Sequence, residues 1–190
     1  FLCLQPALPE IPSALDAGSA DADADRLGGD LFYDALGEFY PREALRGSRG
    51  EAAKRAQAAG FDAVEIHAGH SYLISQFLSP LTNKRTDEFG GSVENRTRFC
   101  RMVIEEVRKQ VGPFFPIMLR LSADELMEGG NTLEDTLEYL EYVQDEVDIF
   151  DVSCGLNGSI QYQIDANYLP DGWRSYMAKA VKEKFNKPCI

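Results

Sequence analysis

The sequence predicts an α/β fold, a partial (β/α)8 TIM barrel, from three observations. Helix-like and strand-like segments alternate over residues 51–190, in the order helix then strand, about four times. Such alternation implies right-handed crossovers and a parallel sheet. The strand-like runs are short and nearly all apolar, as parallel strands covered on both faces are. Ionisable residues gather where the first run ends, and in α/β proteins the chemistry sits at the carboxyl ends of the strands. A closed barrel takes roughly 250 residues. About four strand–helix units leave the sheet open, with two bare edges.

Residues 1–50 lack this character and are expected to be an acidic segment of loop or disorder; residues 51–190 are expected to be the barrel domain. Residues 16–30 are rich in Ala, Asp and Gly without periodicity, and Gly47-Ser48-Arg49-Gly50 punctuates the end of the acidic segment. Residues 51–59 are strong helix formers, with Gly60 as their stop. In the first strand, alternation puts Ala63, Glu65 and His67 on one face and Val64 and Ile66 on the other. Gly69 breaks the strand, and residues 72–78 look helical. Residues 95–111 repeat apolar residues at helical spacing, with Phe99, Met102, Val103, Ile104 and Val107 as the buried stripe and Gly112-Pro113 as the stop. Residues 115–122 form the second strand. A helix over 132–145 opens on Thr132 and Asp135, a capping box with a shorter acid. Residues 147–154 form the third strand, 173–185 a helix, and 187–190 the start of a fourth strand.

Composition narrows the function. A chain 44% hydrophobic and 26% charged can bury a soluble core. A net charge of -12 argues against nucleic acid, whose backbone calls for a basic surface. No apolar run is long enough to cross a bilayer, and no basic-then-apolar leader opens the chain. Cys3, Cys100, Cys154 and Cys189 are widely spaced without a CxxC pair, so no zinc site or disulfide framework is indicated, and a cytoplasmic setting fits. The chain opens on Phe1 and stops as a strand begins, which suggests truncation.

The chain's two histidines and a tyrosine fall within six residues of one strand end. His67 and His70 have the H-x-x-H spacing of a metal pair, but zinc takes three or four ligands and no others are suitably placed. They are then either core histidines with partners or a donor pair that polarises a carbonyl oxygen. Tyr72 either packs or serves as a general acid, since a phenol holds its proton at neutral pH. Arg120 lies opposite Leu119 and Leu121, which faces it into the barrel if those leucines face the helices. A buried guanidinium needs an anion; Glu65 or an electron-rich cofactor ring would serve. Residues 83–98 read mainly as a solvated loop. Asp151 and Ser153 either bond within the core or line the cavity.

These residues in this order resemble the old yellow enzyme family of NADH:flavin oxidoreductases. The resemblance covers about residues 51–190 through GFDAVEIHAGHSYLISQFLSPLTNKRTDEFGGSVENRTRF, IMLRLSADE and FDVSCG. It is strongest to the larger members, similar to 2,4-dienoyl-CoA reductase and the bile-acid-inducible oxidoreductases. The resemblance implies an FMN-binding barrel of which this chain supplies strands four to six and the start of seven. It implies that His67 and His70 hold the substrate oxygen, Tyr72 donates a proton and Arg120 contacts the flavin. NAD(P)H would reduce FMN, which would pass hydride to an enone or enoyl-CoA; in steroid-type relatives the same machinery would run towards desaturation. A 4Fe-4S cluster and FAD, if the full-length protein has them, would lie outside this chain. The alternative is a truncated, non-catalytic fragment, from a disrupted reading frame, that does not bind FMN alone. Dihydroorotate- or dihydrouridine-type FMN barrels are a weaker rival, against which the His67/His70/Tyr72 cluster speaks.

Overall fold

The computed structural model describes residues 2–4, 42–164 and 167–190, with side chains from residue 47 onward. The loop or disorder expected over residues 5–41 lies outside these described residues. Four parallel strands form one sheet in sequence order: β1 (Leu2–Leu4), β2 (Val64–Ala68), β3 (Ile117–Ser122) and β4 (Ile149–Ser153). Beyond β4 the anticipated fourth strand begins: Cys189 bridges Phe150 in parallel, and the Val152 N–H donates to the Ile190 carbonyl at 2.9 Å. The sheet is therefore open and parallel, as the expected partial (β/α)8 barrel requires. β1 was not anticipated, because three residues carry too little periodicity to read.

The helices are α1 (Arg42–Ala58), α2 (Leu73–Leu78), α3 (Val93–Val111), α4 (Leu133–Glu141), α5 (Ile160–Gln163) and α6 (Ser175–Phe185). α1 corrects the expectation for residues 42–50, which are helical rather than loop. Gly50 explains the difference. A Cβ there would come within 2.9 Å of Gln110 Cγ and 3.0 Å of Glu106 Cγ, so this glycine admits α3 rather than ending a helix. Tertiary packing outweighs the roughly 1 kcal/mol that glycine costs a helix.

α3 opens where the Ser92 hydroxyl accepts the Asn95 N–H and ends on Gly112 at φ 82°. Its Phe99, Val103, Ile104 and Val107 are buried as expected, Cys100 and Val111 join them, and Met102, also expected in the stripe, is only partly buried at its edge. The Thr132–Asp135 capping box is present in both directions. α4 stops at Glu141, short of the expected Asp145, and a 3-10 turn over Gln144–Glu146 replaces its last turn.

Strand register turns sequence into layers. Ile66, Leu119 and Phe150 align across β2, β3 and β4 and are fully buried in the core shared with the helices. One residue on, His67, Arg120 and Asp151 align, and alternation sends them to the opposite face. At the amino end of the sheet, Arg108 of α3 donates to the Asp148 carboxylate at 2.6 Å and to the carbonyls of Gly112, Phe115 and Glu146. The same carboxylate accepts the Ile117 N–H, so α3, β3 and β4 share one polar anchor. Among the described residues no helix is long and apolar enough to cross a membrane.

Candidate active site

The site is built on an unusual corner after β2. The Gly69 N–H turns back onto Nδ1 of His67 at 3.2 Å. His70 and Ser71 then adopt left-handed φ values of 57° and 64°, a region that residues with a Cβ enter at a cost. Three neighbours hold them there. The His70 N–H donates to Ser122 Oγ at 3.1 Å, the Asn157 N–H donates to Ser71 Oγ at 3.1 Å, and Gln76 Nε2 donates to the Ser71 carbonyl. Gly69 has to be small, since a Cβ would lie 3.0 Å from both the nitrogen and hydroxyl of Ser122.

The corner gathers the three residues singled out from the sequence. The His67 and His70 rings meet edge to face with centroids 5.1 Å apart, and the Tyr72 ring lies 4.9 Å from His67. His67 is 8% exposed and Tyr72 45%, so the phenol stands at the mouth and the imidazole behind it.

The hydrogen bonds give the pair a polarity. Because Nδ1 of His67 accepts from Gly69, a neutral His67 carries its proton on Nε2, which faces Nδ1 of His70 at 3.4 Å. His70 then carries its proton on Nε2 and donates to Ser153 Oγ at 2.8 Å. Burial holds both pKa values down to about 4, and the Arg120 guanidinium adds to it. Each ring also feels Asp151 pulling the other way. Both rings are neutral at pH 7.

Arg120 lies in register between His67 and Asp151. Its Nη1 donates to Asp151 Oδ2 at 2.9 Å, so its carboxylate partner is Asp151 rather than Glu65, which aligns with Met118 one row away. Asp151 and Ser153, left unassigned from sequence, thus both belong to the site. The Arg120 side chain keeps 38% of its surface exposed. A part-open cation beside two neutral ring donors suits an electron-rich flavin ring and an oxygen acceptor next to it.

Sequence reasoning missed the network that ties the loops behind this corner. Glu125 is buried, and its carboxylate accepts from Ser79 Oγ at 2.7 Å, the Asn131 N–H at 2.8 Å and Asn131 Nδ2 at 3.2 Å. The Ser159 hydroxyl donates to the Glu125 carbonyl. Loops after β2, β3 and β4 are thereby joined. Residues 83–98 are also more than a solvated loop. Asn83 is buried and its Nδ2 donates to the carbonyls of Phe77 and Phe89. A buried acid after a strand and an asparagine before a charged run leave no periodic trace.

Fold and site together define part of a (β/α)8 barrel with a cluster of polar side chains at its strand ends. The sequence matches the NADH:flavin oxidoreductase / NADH oxidase family over residues 48–190, and the chain belongs to that family. It is 42% identical over 141 residues to an NADH oxidase of Thermoanaerobacter brockii, covering 74% of this chain and 22% of that one. It is 46% identical over 140 residues to an NADPH dehydrogenase of Clostridium acetobutylicum, covering 73% and 40%. The chain thus spans less than half the length of these curated relatives. Among solved structures it resembles a 2-naphthoyl-CoA reductase complexed with 2-naphthoyl-CoA, at TM-score 0.72 and 36% identity over 78% of this chain and 23% of that one. It also resembles morphinone reductase complexed with tetrahydroNAD, at TM-score 0.57 and 31% identity over 78% and 38%. An old yellow enzyme homologue of Zymomonas mobilis matches at TM-score 0.60 and 27% identity over 78% and 40%.

Proposed function

We propose that this chain supplies the substrate-facing rim of an FMN-dependent NAD(P)H oxidoreductase that acts on the C=C bond of α,β-unsaturated carbonyl compounds. The observation that carries this reading is the convergence of His67, His70, Tyr72 and Arg120 at the carboxyl ends of adjacent strands. Bound FMN supplies hydride chemistry that no side chain has. Arg120 would hold it, placing positive charge where the reduced ring is electron-rich.

Nε2 of His67 and Nδ1 of His70 lie 3.4 Å apart, so one carbonyl oxygen seated across the pair, about 2.8 Å from each, would replace their mutual hydrogen bond and meet both. His67 donates as it stands. His70 donates once its proton sits on Nδ1, and the Ser153 hydroxyl, able to accept or donate, then donates to Nε2. Two neutral donors in a partly dry site stabilise negative charge growing on that oxygen. Tyr72, exposed beside His67, would deliver a proton to the α-carbon. An enoyl-CoA or steroid-CoA substrate, and desaturation as the reverse direction, are compatible with the same groups. Any iron–sulfur cluster or FAD would be held outside this chain.

Tyr72→Phe in FMN-loaded protein tests the assignment. Flavin reduction by NAD(P)H should persist, while cyclohexenone reduction falls about 10²-fold or more. Equal loss in both half-reactions would refute the proton-donor role. A second reading, a chain that cannot hold FMN by itself, is favoured by a described sheet of four strands where an eight-stranded barrel closes. Purified chain that stays colourless after incubation with FMN would support it; a yellow, stoichiometric complex would exclude it.

A further inference from the structure

Ser122 and Ser153 form the last register pair of β3 and β4, and both are buried. Ser153 meets the His70 ring and Ser122 meets its main chain. The Ser122 hydroxyl donates to the Gly155 carbonyl at 2.8 Å, which commits its proton and leaves a lone pair for the His70 N–H. That hydrogen bond falls at the left-handed residue, where strain persists only when surroundings over-determine it. Gly69 packs against the same hydroxyl, which a Cβ there would meet at 3.0 Å.

We propose that Ser122 is a positioning residue that holds the His70 main chain in its left-handed conformation, so that the ring meets His67 and Ser153 together. Its catalytic meaning rests on the reading of the histidine pair as the oxygen-binding site. Its geometry does not. The His70 ring feels Arg120 from β3, Asp151 from β4 and Arg174 ahead of α6, and its Nδ1 faces Nε2 of His67 from β2 at 3.4 Å. Burial contributes most to its lowered pKa, so any release of the corner registers in its titration.

The chain has two histidines, so NMR of 15N-histidine-labelled protein follows two titrations only. In the native chain both midpoints should lie near 4. Ser122→Ala should raise that of His70 by about one pH unit or more towards the ordinary value. The His70 Nε2–H, bonded to Ser153 Oγ in the native chain, should exchange faster in the variant. Ser122→Cys, a weaker acceptor of similar size, should give a smaller displacement in the same direction and carries the test if the alanine variant does not fold. Arg108→Ala controls for general loosening: it should lower stability and leave both titrations in place. A folded Ser122 variant with native His70 titration overturns the proposal, as does an equal shift in Arg108→Ala. These spectra report no turnover, so their failure leaves the enone reading intact, and failure of the Tyr72→Phe test leaves this one intact.

Discussion

Acid should loosen this protein through two residues, because His67 and His70 are its only histidines and both are held neutral by burial. Their folded pKa of about 4 lies below the ordinary 6.5. Between those values the unfolded chain binds more protons than the folded one. The stability they contribute is therefore fully present above pH 6.5 and is lost as pH falls towards 4. A displacement from 6.5 to about 4, at 1.36 kcal/mol per pH unit, is worth about 3 kcal/mol per ring. Solvent screening of these part-buried rings reduces this to about 3 kcal/mol for the pair. Stability should then rise by about 1 kcal/mol per pH unit between pH 5 and 6. Urea unfolding at several pH values measures that slope, and His67→Asn/His70→Asn should flatten it. Burial raises the Glu125 pKa, so its contribution has the opposite sign, present at low pH and lost as pH rises, but it is common to both proteins. A flat native profile, or an equal slope in the double variant, would refute the burial argument.

Two further outcomes probe the scaffold. Arg108→Ala removes the donor shared by three carbonyls and the half-exposed Asp148 carboxylate, which keeps its Ile117 N–H, and should cost about 1–3 kcal/mol in urea unfolding. Gly90→Ala places a Cβ 2.1 Å from the Arg85 carbonyl oxygen, so the loop ahead of α3, residues 83–92, must shift. It should cost about 1–3 kcal/mol of stability and raise amide exchange around Asn83.

The parts legible in the sequence were those with a repeating pattern or a fixed local chemistry. Phe99, Val103 and Val107 announced α3 by their spacing, and Thr132 with Asp135 announced the start of α4. The strand β3 was visible as an apolar run broken by one arginine. The His67/His70/Tyr72 cluster was visible because alternation and a glycine placed it at a strand end. What stayed hidden depends on distant residues. Gly50 reads as punctuation until α3 lies against it. Asp151 becomes the partner of Arg120 only through the β3–β4 register, since nothing in IFDVS marks its acid over Glu65 of β2. The left-handed His70 and Ser71 carry no glycine to betray them, and Ser122, 52 residues away, accepts the bond that holds the first of them.

A crystal structure of the FMN-loaded protein with cyclohexenone bound addresses the site most directly. The account predicts one ketone oxygen within hydrogen-bond distance of both His67 Nε2 and His70 Nδ1, with Arg120 against the flavin and the Tyr72 hydroxyl over the α-carbon. A ketone oxygen held by other groups, or an Arg120 turned wholly onto Asp151 and away from the flavin, would contradict it.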